Sequence, residues 1–457
     1  MSASSEPPYA ADVALLTDLY ELTMAASYVE HDLDAEATFD LFVRALPPER
    51  AFLVACGLER ALDYLETLRF DEASLAYLDG LGIFRPAFLD RLARLRFTGE
   101  VWAIPEGEVC FANEPLLRLT GPLVEVQIVE TFLLNCVGFQ TMIASKAARV
   151  ALACGERRFV DFSARRDHGA DAAVEGARAA CIGGAVATSN VLAGKRYGLA
   201  LAGTMAHSYV MSFASEYEAF RTFARDFPKR STLLIDTYDT EEGARVAARV
   251  ASELRPEGIT VQGVRLDSGD LLELSRSVRR ILDDAGHPEI EIFASGDLDE
   301  HAIAKLLAAG APIDAFGVGT KLGTSHDAPS LSVVYKLVED VRGPKIKLST
   351  HKMTAPGRKQ VYRVGAGEDA YDVIALADEP PPSGGRPLLE RVLADGRRLR
   401  PRGSVDEARE RRRAAVERLP ARLRSLAPVE EPYPVRRSAA LEALIAQQRE
   451  RAATTQR

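Results

Sequence analysis

Between Phe159 and about Val338 the sequence repeats one pattern, in which a short apolar run ends in a polar residue and a stretch with helical spacing follows. The apolar runs are RFVDF, LALAG, TLLIDT, ITVQGVRLD, IEIFASGD and IDAFGVG. Alternating strands and helices on this scale are βα units, which build a parallel sheet. We therefore predict an α/β fold with an irregular (β/α) barrel here, although an open doubly wound sheet would give the same pattern.

Polar residues or glycine fall at the predicted carboxyl ends of these strands: Asp161, Asp236, Asp267, Asp297 and Gly319. The carboxyl ends of parallel strands share one edge, and both barrels and open sheets bind their ligands there. The pattern thus predicts where the site lies better than it predicts whether the sheet closes.

The segment from Phe159 to Phe213 contains several residues suited to ligand binding or catalysis. Arg165 and Arg166 follow the first strand, where two guanidinium groups can hold phosphate or carboxylate. His207 lies among small residues and suits proton transfer or transient phosphoryl acceptance. Each feature also has a plainer interpretation, because a lone histidine is often a packed structural residue and adjacent arginines are usually a solvated surface pair.

Two further strand ends, 234–239 (LIDTYD) and 265–270 (RLDSGD), each carry two carboxylates. Carboxylates facing a barrel mouth suit Mg²⁺ or ribose hydroxyls. Asp239 and Asp270 directly precede helices, so we interpret these two as N-caps. The turns at 294–297 and 316–321 contain glycine and lead from a strand into a helix, so their amides can form anion nests, although neither has dinucleotide-fold or P-loop spacing.

The rest of the chain predicts two other regions. Residues 1–125 combine a strand at 37–43 with helical patterns and a β-rich stretch at 97–123, and residues 126–353 contain the barrel. Residues 354–457 form a C-terminal region, partly packed on the N-terminal domain, with a Pro- and Gly-rich linker at 379–387 and an Arg-rich helical tail.

Charge and cysteine usage exclude several classes of partner. The chain has 457 residues, a formal net charge of -9 and a pI near 5.5, which argue against nucleic acid or an anionic membrane as a general partner. The five cysteines are scattered and form no CxxC pair, so we expect neither a disulfide framework nor a zinc knuckle. No run is long and apolar enough for a membrane span. We expect a soluble, cytoplasmic protein.

Eight motifs resemble nicotinate phosphoribosyltransferases in order and spacing, and the resemblance covers residues from about 14 to 360: Asp18–Tyr20, Asp161–Arg166, Thr188–Gly194, Gly203–Phe213, Asp236–Asp239, Arg265–Asp270, Ser295–Asp297 and Phe316–Thr320. The resemblance implies an irregular (β/α) barrel domain packed against an N-terminal α/β layer domain, and a homodimer with shared active sites. It also implies synthesis of nicotinate mononucleotide and pyrophosphate from nicotinate and phosphoribosyl pyrophosphate, coupled to ATP hydrolysis with Mg²⁺ as cofactor.

The same resemblance implies roles for individual residues. His207 matches the histidine that ATP phosphorylates, Asp236 would orient it, and Phe162 would sandwich the pyridine with Tyr20 of the partner subunit. Arg165 and Arg265 match arginines near the base and the phosphorylated substrate that reacts with it, and Asp267 matches a ligand of a ribose hydroxyl. The residues matched to the site of the 5′-phosphate are Gly296, Asp297, Gly319 and Thr320. No residue is assigned as a metal ligand.

Ser189 bears on the choice of base. The resemblance implies that nicotinamide-using relatives have an Asp at this position, where a carboxylate would accept from an amide but repel a carboxylate substrate. Ser189 therefore favours nicotinate. Two alternatives remain: a sugar-phosphate aldolase or isomerase, for which Lys321 is the near candidate lysine, and a non-catalytic ligand-binding relative.

Overall fold

The computed structural model describes residues 12–348 and 354–455. The chain divides into two compact units, of which the first combines the residues up to Ser145 with those from Ala328 onward, and the second is Lys146–Asp327. The sequence placed boundaries after residues 125 and 353. The first division instead falls within one long helix, Glu130–Cys154.

The α-helices of the described residues are α1 (Leu19–Glu30), α2 (Leu58–Thr67), α3 (Glu72–Gly80), α4 (Pro86–Ala93), α5 (Leu123–Ile128), α6 (Glu130–Cys154), α7 (Ala170–Gly183), α8 (Val191–Tyr197), α9 (His207–Met211), α10 (Glu216–Asp226), α11 (Thr240–Leu254), α12 (Leu271–Asp284), α13 (Glu300–Ala308), α14 (Thr320–Gly323), α15 (Val405–Glu417) and α16 (Ala439–Thr455). Short 3-10 turns occur at Val13–Leu15, Arg255–Glu257, Gly367–Asp369 and Ala421–Arg424.

The strands are β1 (Glu36–Val43), β2 (Leu53–Val54), β3 (Glu100–Ala103), β4 (Val109–Cys110), β5 (Pro115–Pro122), β6 (Arg158–Asp161), β7 (Ala187–Thr188), β8 (Thr232–Leu234), β9 (Gly263–Leu266), β10 (Glu291–Ala294), β11 (Ala315–Val318), β12 (Val333–Asp340), β13 (Gly343–Pro344), β14 (Lys359–Val364), β15 (Tyr371–Leu376), β16 (Gly385–Pro387), β17 (Glu390–Ala394), β18 (Arg397–Arg398) and β19 (Val435–Arg437).

The second unit is built on one six-stranded sheet in the order β7-β6-β11-β10-β9-β8, and its strands are parallel. This curled sheet with its connecting helices is the predicted irregular (β/α) barrel. Strands β9 and β11 are buried at every position, as expected of a parallel sheet whose two faces are both covered. On α12 the buried residues Ser275, Val278 and Leu282 recur at helical spacing.

One predicted strand is wrong. The run Leu199–Gly203 was expected to be a strand, but it contributes only a single bridge, from Leu201 to Thr188. The strand beside β6 is instead the two-residue β7, whose partners are Val160 and Asp161. Two residues carry too little periodicity to be recognised as a strand from sequence.

The first unit is an α/β layer domain, as predicted. Its largest sheet has the order β13-β12-β1-β5-β3-β17-β18, with β1 antiparallel to both β12 and β5. The strands β17 and β18 come from the C-terminal region, which also supplies the four-stranded sheet β16-β14-β15-β19. The segment 379–387 is therefore not entirely a linker, because its last three residues form β16. In the described part of the chain, no helix has the length and apolar character needed to cross a membrane.

Candidate active site

A cavity of ≈ 420 Å³ opens at the carboxyl ends of the parallel strands in the second unit, and this volume is within the range of about 300–1,000 Å³ usual for ligand sites. Six residues that the sequence singled out line it: Phe162, Arg165, Ser189, His207, Arg265 and Asp267. The other lining residues are Ala164, Gly203, Thr204, Met205, Ala206 and Leu234. The predicted edge of the sheet is thus where a ligand-sized space exists.

Phe162 presents its ring to this cavity directly after β6. Its amide donates to Val318 O at 2.9 Å, and its ring packs against Phe293 at 5.6 Å between centroids. A Cβ on Gly317 would lie 2.6 Å from Phe162 Cδ2, so only glycine leaves room for the ring. Sequence reasoning placed Gly317 in an anion nest and missed this packing role.

Asp161, the last residue of β6, holds the loop that carries Phe162 in place through hydrogen bonds. It is fully buried and accepts hydrogen bonds from the Ser163 amide (2.9 Å) and from Thr188 Oγ1 (2.7 Å). Burial raises the pKa of this carboxyl, while the two hydrogen bonds oppose the shift. Asp161 therefore braces the loop and is not among the residues that line the cavity.

Arg265 and Asp267 form an oriented charge pair at the end of β9. Arg265 donates from Nη2 to Asp267 Oδ1 (2.7 Å), from Nε to Ser295 Oγ (2.8 Å) and from Nη1 to Thr204 Oγ1 (2.9 Å). Its guanidinium carbon lies 5.5 Å from the centroid of the Phe162 ring. Burial opposes ionisation of Asp267, but the hydrogen bond from Ser295 and the charge of Arg265 outweigh it and lower the pKa of this carboxyl.

His207 is the first residue of α9, and its ring makes one hydrogen-bond contact, at Nδ1, while a carboxylate lies farther away on the Nε2 side. Nδ1 lies 3.2 Å from Thr237 Oγ1, and Nε2 lies 4.0 Å from Asp267 Oδ2. The side chain is 41% exposed, so a ligand can reach it.

The sequence resemblance implies that Asp236 orients His207, but in the structure the Asp236 carboxylate bonds to other partners. Its Oδ2 accepts from the Asp267 amide (3.0 Å) and from Ser268 Oγ (2.7 Å), so it orders the neighbouring loop. Its Oδ1 is buried and has no hydrogen-bond partner among the described residues. The residue that follows it, Thr237, makes the contact that the sequence assigned to Asp236.

Comparison with known proteins gives the family. A model described as the nicotinate phosphoribosyltransferase N-terminal domain matches residues 15–138, and one described as the quinolinate phosphoribosyl transferase C-terminal domain matches residues 143–331. A nicotinate phosphoribosyltransferase of Mycobacterium tuberculosis is 48% identical over 424 residues, which cover 92% of this chain and 91% of the relative. This chain belongs to the nicotinate phosphoribosyltransferase family.

Two further nicotinate phosphoribosyltransferases support the assignment. The Bacillus subtilis relative is 47% identical over 379 residues, which cover 80% of this chain and 77% of the relative. The crystal structure of the human nicotinic acid phosphoribosyltransferase matches with a TM-score of 0.83 and 30% identity, covering 94% of this chain and 99% of that one. The resemblance found in the sequence motifs is therefore confirmed over nearly the whole fold.

The residues matched to the family's 5′-phosphate cradle lie on neighbouring strand ends but do not line the cavity. Gly296 and Asp297 follow β10, and Gly319 and Thr320 follow β11. Gly296 has φ +97°, and a Cβ there would lie 2.2 Å from Asp267 O, so the loop requires glycine. Asp297 also adopts a left-handed backbone, with φ 49°. The phosphate role of these four residues stays a prediction.

The other residues that the resemblance matches to the base-binding site, Ser189, Arg165 and Tyr20, are exposed. Ser189 donates its amide to Asp161 O (2.9 Å), which fixes its backbone at the cavity, and Arg165 lines the cavity from the loop after β6. Tyr20 belongs to α1 in the first unit and is 48% exposed. Its proposed place in the site of a partner subunit stays a prediction.

Three residues of the site were missed by sequence reasoning: Thr204, Thr237 and Ser295. Each lies inside a motif that was noticed, but their hydroxyls gave no signal of their own. The structure shows that they are the hydrogen-bond partners of Arg265 and His207.

Proposed function

We propose that this chain is a nicotinate phosphoribosyltransferase of NAD salvage. It converts nicotinate and phosphoribosyl pyrophosphate into nicotinate mononucleotide and pyrophosphate, and hydrolyses ATP to ADP and phosphate through a phosphorylated His207. The observation that carries the proposal is the convergence of an aromatic ring, an oriented arginine and a half-exposed histidine, Phe162, Arg265 and His207, on one cavity. The family membership of the chain supports the same reaction.

The base binds against Phe162, whose ring offers a flat face beside a guanidinium. The carboxylate of nicotinate needs a cationic or neutral hydrogen-bonding neighbour, and Arg165 and Ser189 lie at the cavity to supply it. Nicotinamide has no carboxylate to match Arg165, which favours the acid as substrate.

Displacement of pyrophosphate from the ribose needs charge stabilisation more than proton transfer. Positive charge develops on the ribose and negative charge on the leaving group, so fixed dipoles and cations at the site lower the barrier. Arg265 is held by three side chains, which orients its charge before the substrate binds. Asp267 is ionised and can accept from a ribose hydroxyl.

Mg²⁺ fits the residues present. Asp236 has a buried carboxylate oxygen without a partner in the described part of the chain, and Mg²⁺ is usually bound by one or two carboxylates together with substrate phosphates. Asp236 would hold the ion, which would neutralise charge on the pyrophosphate. The chain's own residues then position the base and the ribose.

Phosphorylation of His207 would add negative charge and acceptor oxygens close to Arg265 and Arg165. We expect this charge to order the loops around the cavity and so couple ATP hydrolysis to product formation. We further propose a homodimer in which Tyr20 of each chain completes the site of its partner, and no nucleic-acid partner, because the net charge is -9.

The aldolase or isomerase alternative is less well supported. Its candidate lysine, Lys321, pairs with Asp299 at 2.7 Å and does not line the cavity. A Schiff-base lysine must reach the substrate, and this one is engaged by Asp299 away from the cavity. A non-catalytic relative would lack motif residues, whereas every one is present.

The test measures formation of nicotinate mononucleotide from nicotinate and phosphoribosyl pyrophosphate with Mg²⁺, with and without ATP, for the native chain and for His207→Ala. The proposal predicts product that ATP stimulates in the native chain and not in the variant. No product from nicotinate, or equal turnover of nicotinamide, would reject the substrate assignment. Product without any ATP effect would reject only the phosphohistidine.

A further inference from the structure

Among the described residues, Thr237 is the one whose side chain lies within hydrogen-bond distance of the His207 ring. Its Oγ1 lies 3.2 Å from His207 Nδ1, whereas Asp267 Oδ2 lies 4.0 Å from Nε2 on the other side of the ring. The helix that begins at His207 has only five residues, and the histidine side chain is 41% exposed. Part of the ring is therefore open to solvent, and the Thr237 hydroxyl is the group within hydrogen-bond distance that can direct it.

Thr237 itself is well placed to direct the ring, because its loop is anchored on both sides. Asp236 accepts from the Asp267 amide and from Ser268 Oγ, and Asp239 caps α11 by accepting from the Glu242 amide at 2.8 Å. Threonine is also β-branched, which restricts rotation about χ1. The hydroxyl consequently presents a fixed hydrogen-bonding group to Nδ1.

We propose that Thr237 is a positioning residue for His207, whose hydroxyl donates to Nδ1 and holds the ring in the tautomer that carries its proton on Nε2, facing Asp267. This inference rests on the proposed function, in which His207 accepts a phosphoryl group from ATP. A neutral imidazole has one N–H and one lone pair, and only the nitrogen with the lone pair can accept phosphorus.

The electron balance of the step follows from this tautomer. The Nδ1 lone pair forms the N–P bond, and the bond from the γ-phosphorus to its bridging oxygen breaks, with the electron pair leaving on ADP. The proton stays on Nε2, and the positive charge that the ring gains faces the Asp267 carboxylate. The Thr237 hydroxyl, released from the lone pair, can donate to an oxygen of the new phosphoryl group.

The test compares Thr237→Val, which keeps the shape and removes the hydroxyl, with Thr237→Ser, which keeps the hydroxyl. Thr260→Val is the matched control, because Thr260 is exposed and not among the residues that line the cavity. The first readout is a long-range ¹⁵N–¹H spectrum of protein labelled at its seven histidines, with His207 assigned from the signal lost in His207→Ala. The second is the rate of phosphohistidine formation from γ-³²P-ATP.

The proposal predicts that Nε2–H dominates in the native chain, in Thr237→Ser and in Thr260→Val, and that Thr237→Val shifts toward Nδ1–H. It also predicts phosphorylation at least about 10-fold slower in Thr237→Val and within about 3-fold of native in Thr237→Ser. Unchanged tautomer and rate in Thr237→Val would overturn it, as would a Thr237→Ser variant that is equally impaired.

The spectrum separates this inference from the proposed function. If the native chain shows mainly Nδ1–H, the positioning role is wrong even when nicotinate mononucleotide is formed. If the native chain shows Nε2–H and only Thr237→Val loses it, the positioning role stands even when ATP labels no histidine, and the phosphohistidine part of the proposed function then fails. If Thr237→Val does not fold, the native and Thr237→Ser spectra still test the inference, because Nδ1–H as the main tautomer in either one would overturn it.

Discussion

Arg363 in the first unit and Arg265 in the second both hold an aspartate through a guanidinium group, but their surroundings differ. Arg363 binds Asp372 through Nε (3.0 Å) and Nη2 (2.7 Å) and binds Glu108 through Nη1 (2.8 Å), and both carboxylates are almost completely buried. Arg265 binds Asp267 at 2.7 Å, and the Asp267 side chain is 30% exposed at the cavity.

The aromatic neighbours differ in the same way. The guanidinium of Arg363 lies 5.6 Å from the Phe111 ring and 5.9 Å from the Tyr433 ring, and these two rings stack on each other at 3.9 Å. The Phe162 ring beside Arg265 instead lines an open cavity. An arginine–aspartate pair therefore stabilises the fold where both side chains are buried, as at Arg363. A pair of the same kind presents its charge to a ligand where it lies beside an open cavity, as at Arg265.

The largest effect is expected at the closed pair. Asp372→Asn removes one of the two buried carboxylate charges that compensate Arg363, leaving Glu108, and weakens an acceptor of the Tyr433 hydroxyl (2.9 Å), so we expect a loss of about 3 kcal/mol in the free energy of unfolding. Urea denaturation measures it, with the exposed Asp378→Asn as control, expected within about 0.5 kcal/mol of native. A loss below about 1 kcal/mol would remove the distinction between the two pairs.

At the open pair the effect should fall on activity. Asp267→Asn is expected to lower kcat/KM about 100-fold, equivalent to about 2.7 kcal/mol of transition-state stabilisation, because the variant loses the charged acceptor at the cavity. Its unfolding free energy should change by less than about 1 kcal/mol, since water reaches this carboxylate. The exposed Asp284→Asn serves as the control. If Asp267→Asn kept its kcat/KM but lost more than about 1 kcal/mol in the free energy of unfolding, Asp267 would be a structural residue like Asp372.

A smaller effect is expected at Asp167, a partly buried carboxyl that has a hydrogen bond from Ser163 Oγ (3.1 Å) but no ion pair among the described residues. Burial, and then the nearby Asp161, raises its pKa to about 6. A folded-state pKa above the unfolded value means that ionisation costs stability as pH rises from about 4 to 6. Asp167→Asn should therefore be more stable than native by roughly 1–2 kcal/mol at pH 8, allowing for partial exposure.

Urea denaturation at pH 4, 6 and 8 measures this difference, which should close as the pH falls to 4. The exposed Asp226→Asn is the control for removing a surface carboxylate, and we expect it within about 0.5 kcal/mol of native. A pH-independent difference for Asp167→Asn would mean that the carboxyl does not titrate in this range.

Local signals in the sequence predicted much of the second unit. The apolar runs before Asp161, Asp267 and Gly319 became strands β6, β9 and β11, and Asp239 and Asp270 cap their helices as interpreted. These features depend on a few neighbouring residues, such as a side-chain oxygen three positions before an amide.

Long-range geometry was not predictable in the same way. Asp236 and Thr237 are adjacent, and only the fold decides which of them faces His207. Likewise, nothing near Glu390–Ala394 indicates that this strand pairs with β3, almost three hundred residues earlier in the chain. Partners chosen by tertiary structure leave no periodic trace in the sequence.

The binding of nicotinate in this cavity is tested most directly by the turnover of nicotinate by Ser189→Asp. Ser189→Asn is the neutral control, because asparagine has the same shape as aspartate. Ser189 is exposed at the cavity, so both variants should fold as the native chain does. If this cavity binds nicotinate, the new carboxylate repels that of the substrate, and kcat/KM for nicotinate falls at least about 100-fold in Ser189→Asp and less than about 10-fold in Ser189→Asn. Equal turnover of nicotinate by the native chain and Ser189→Asp would show that the base binds elsewhere.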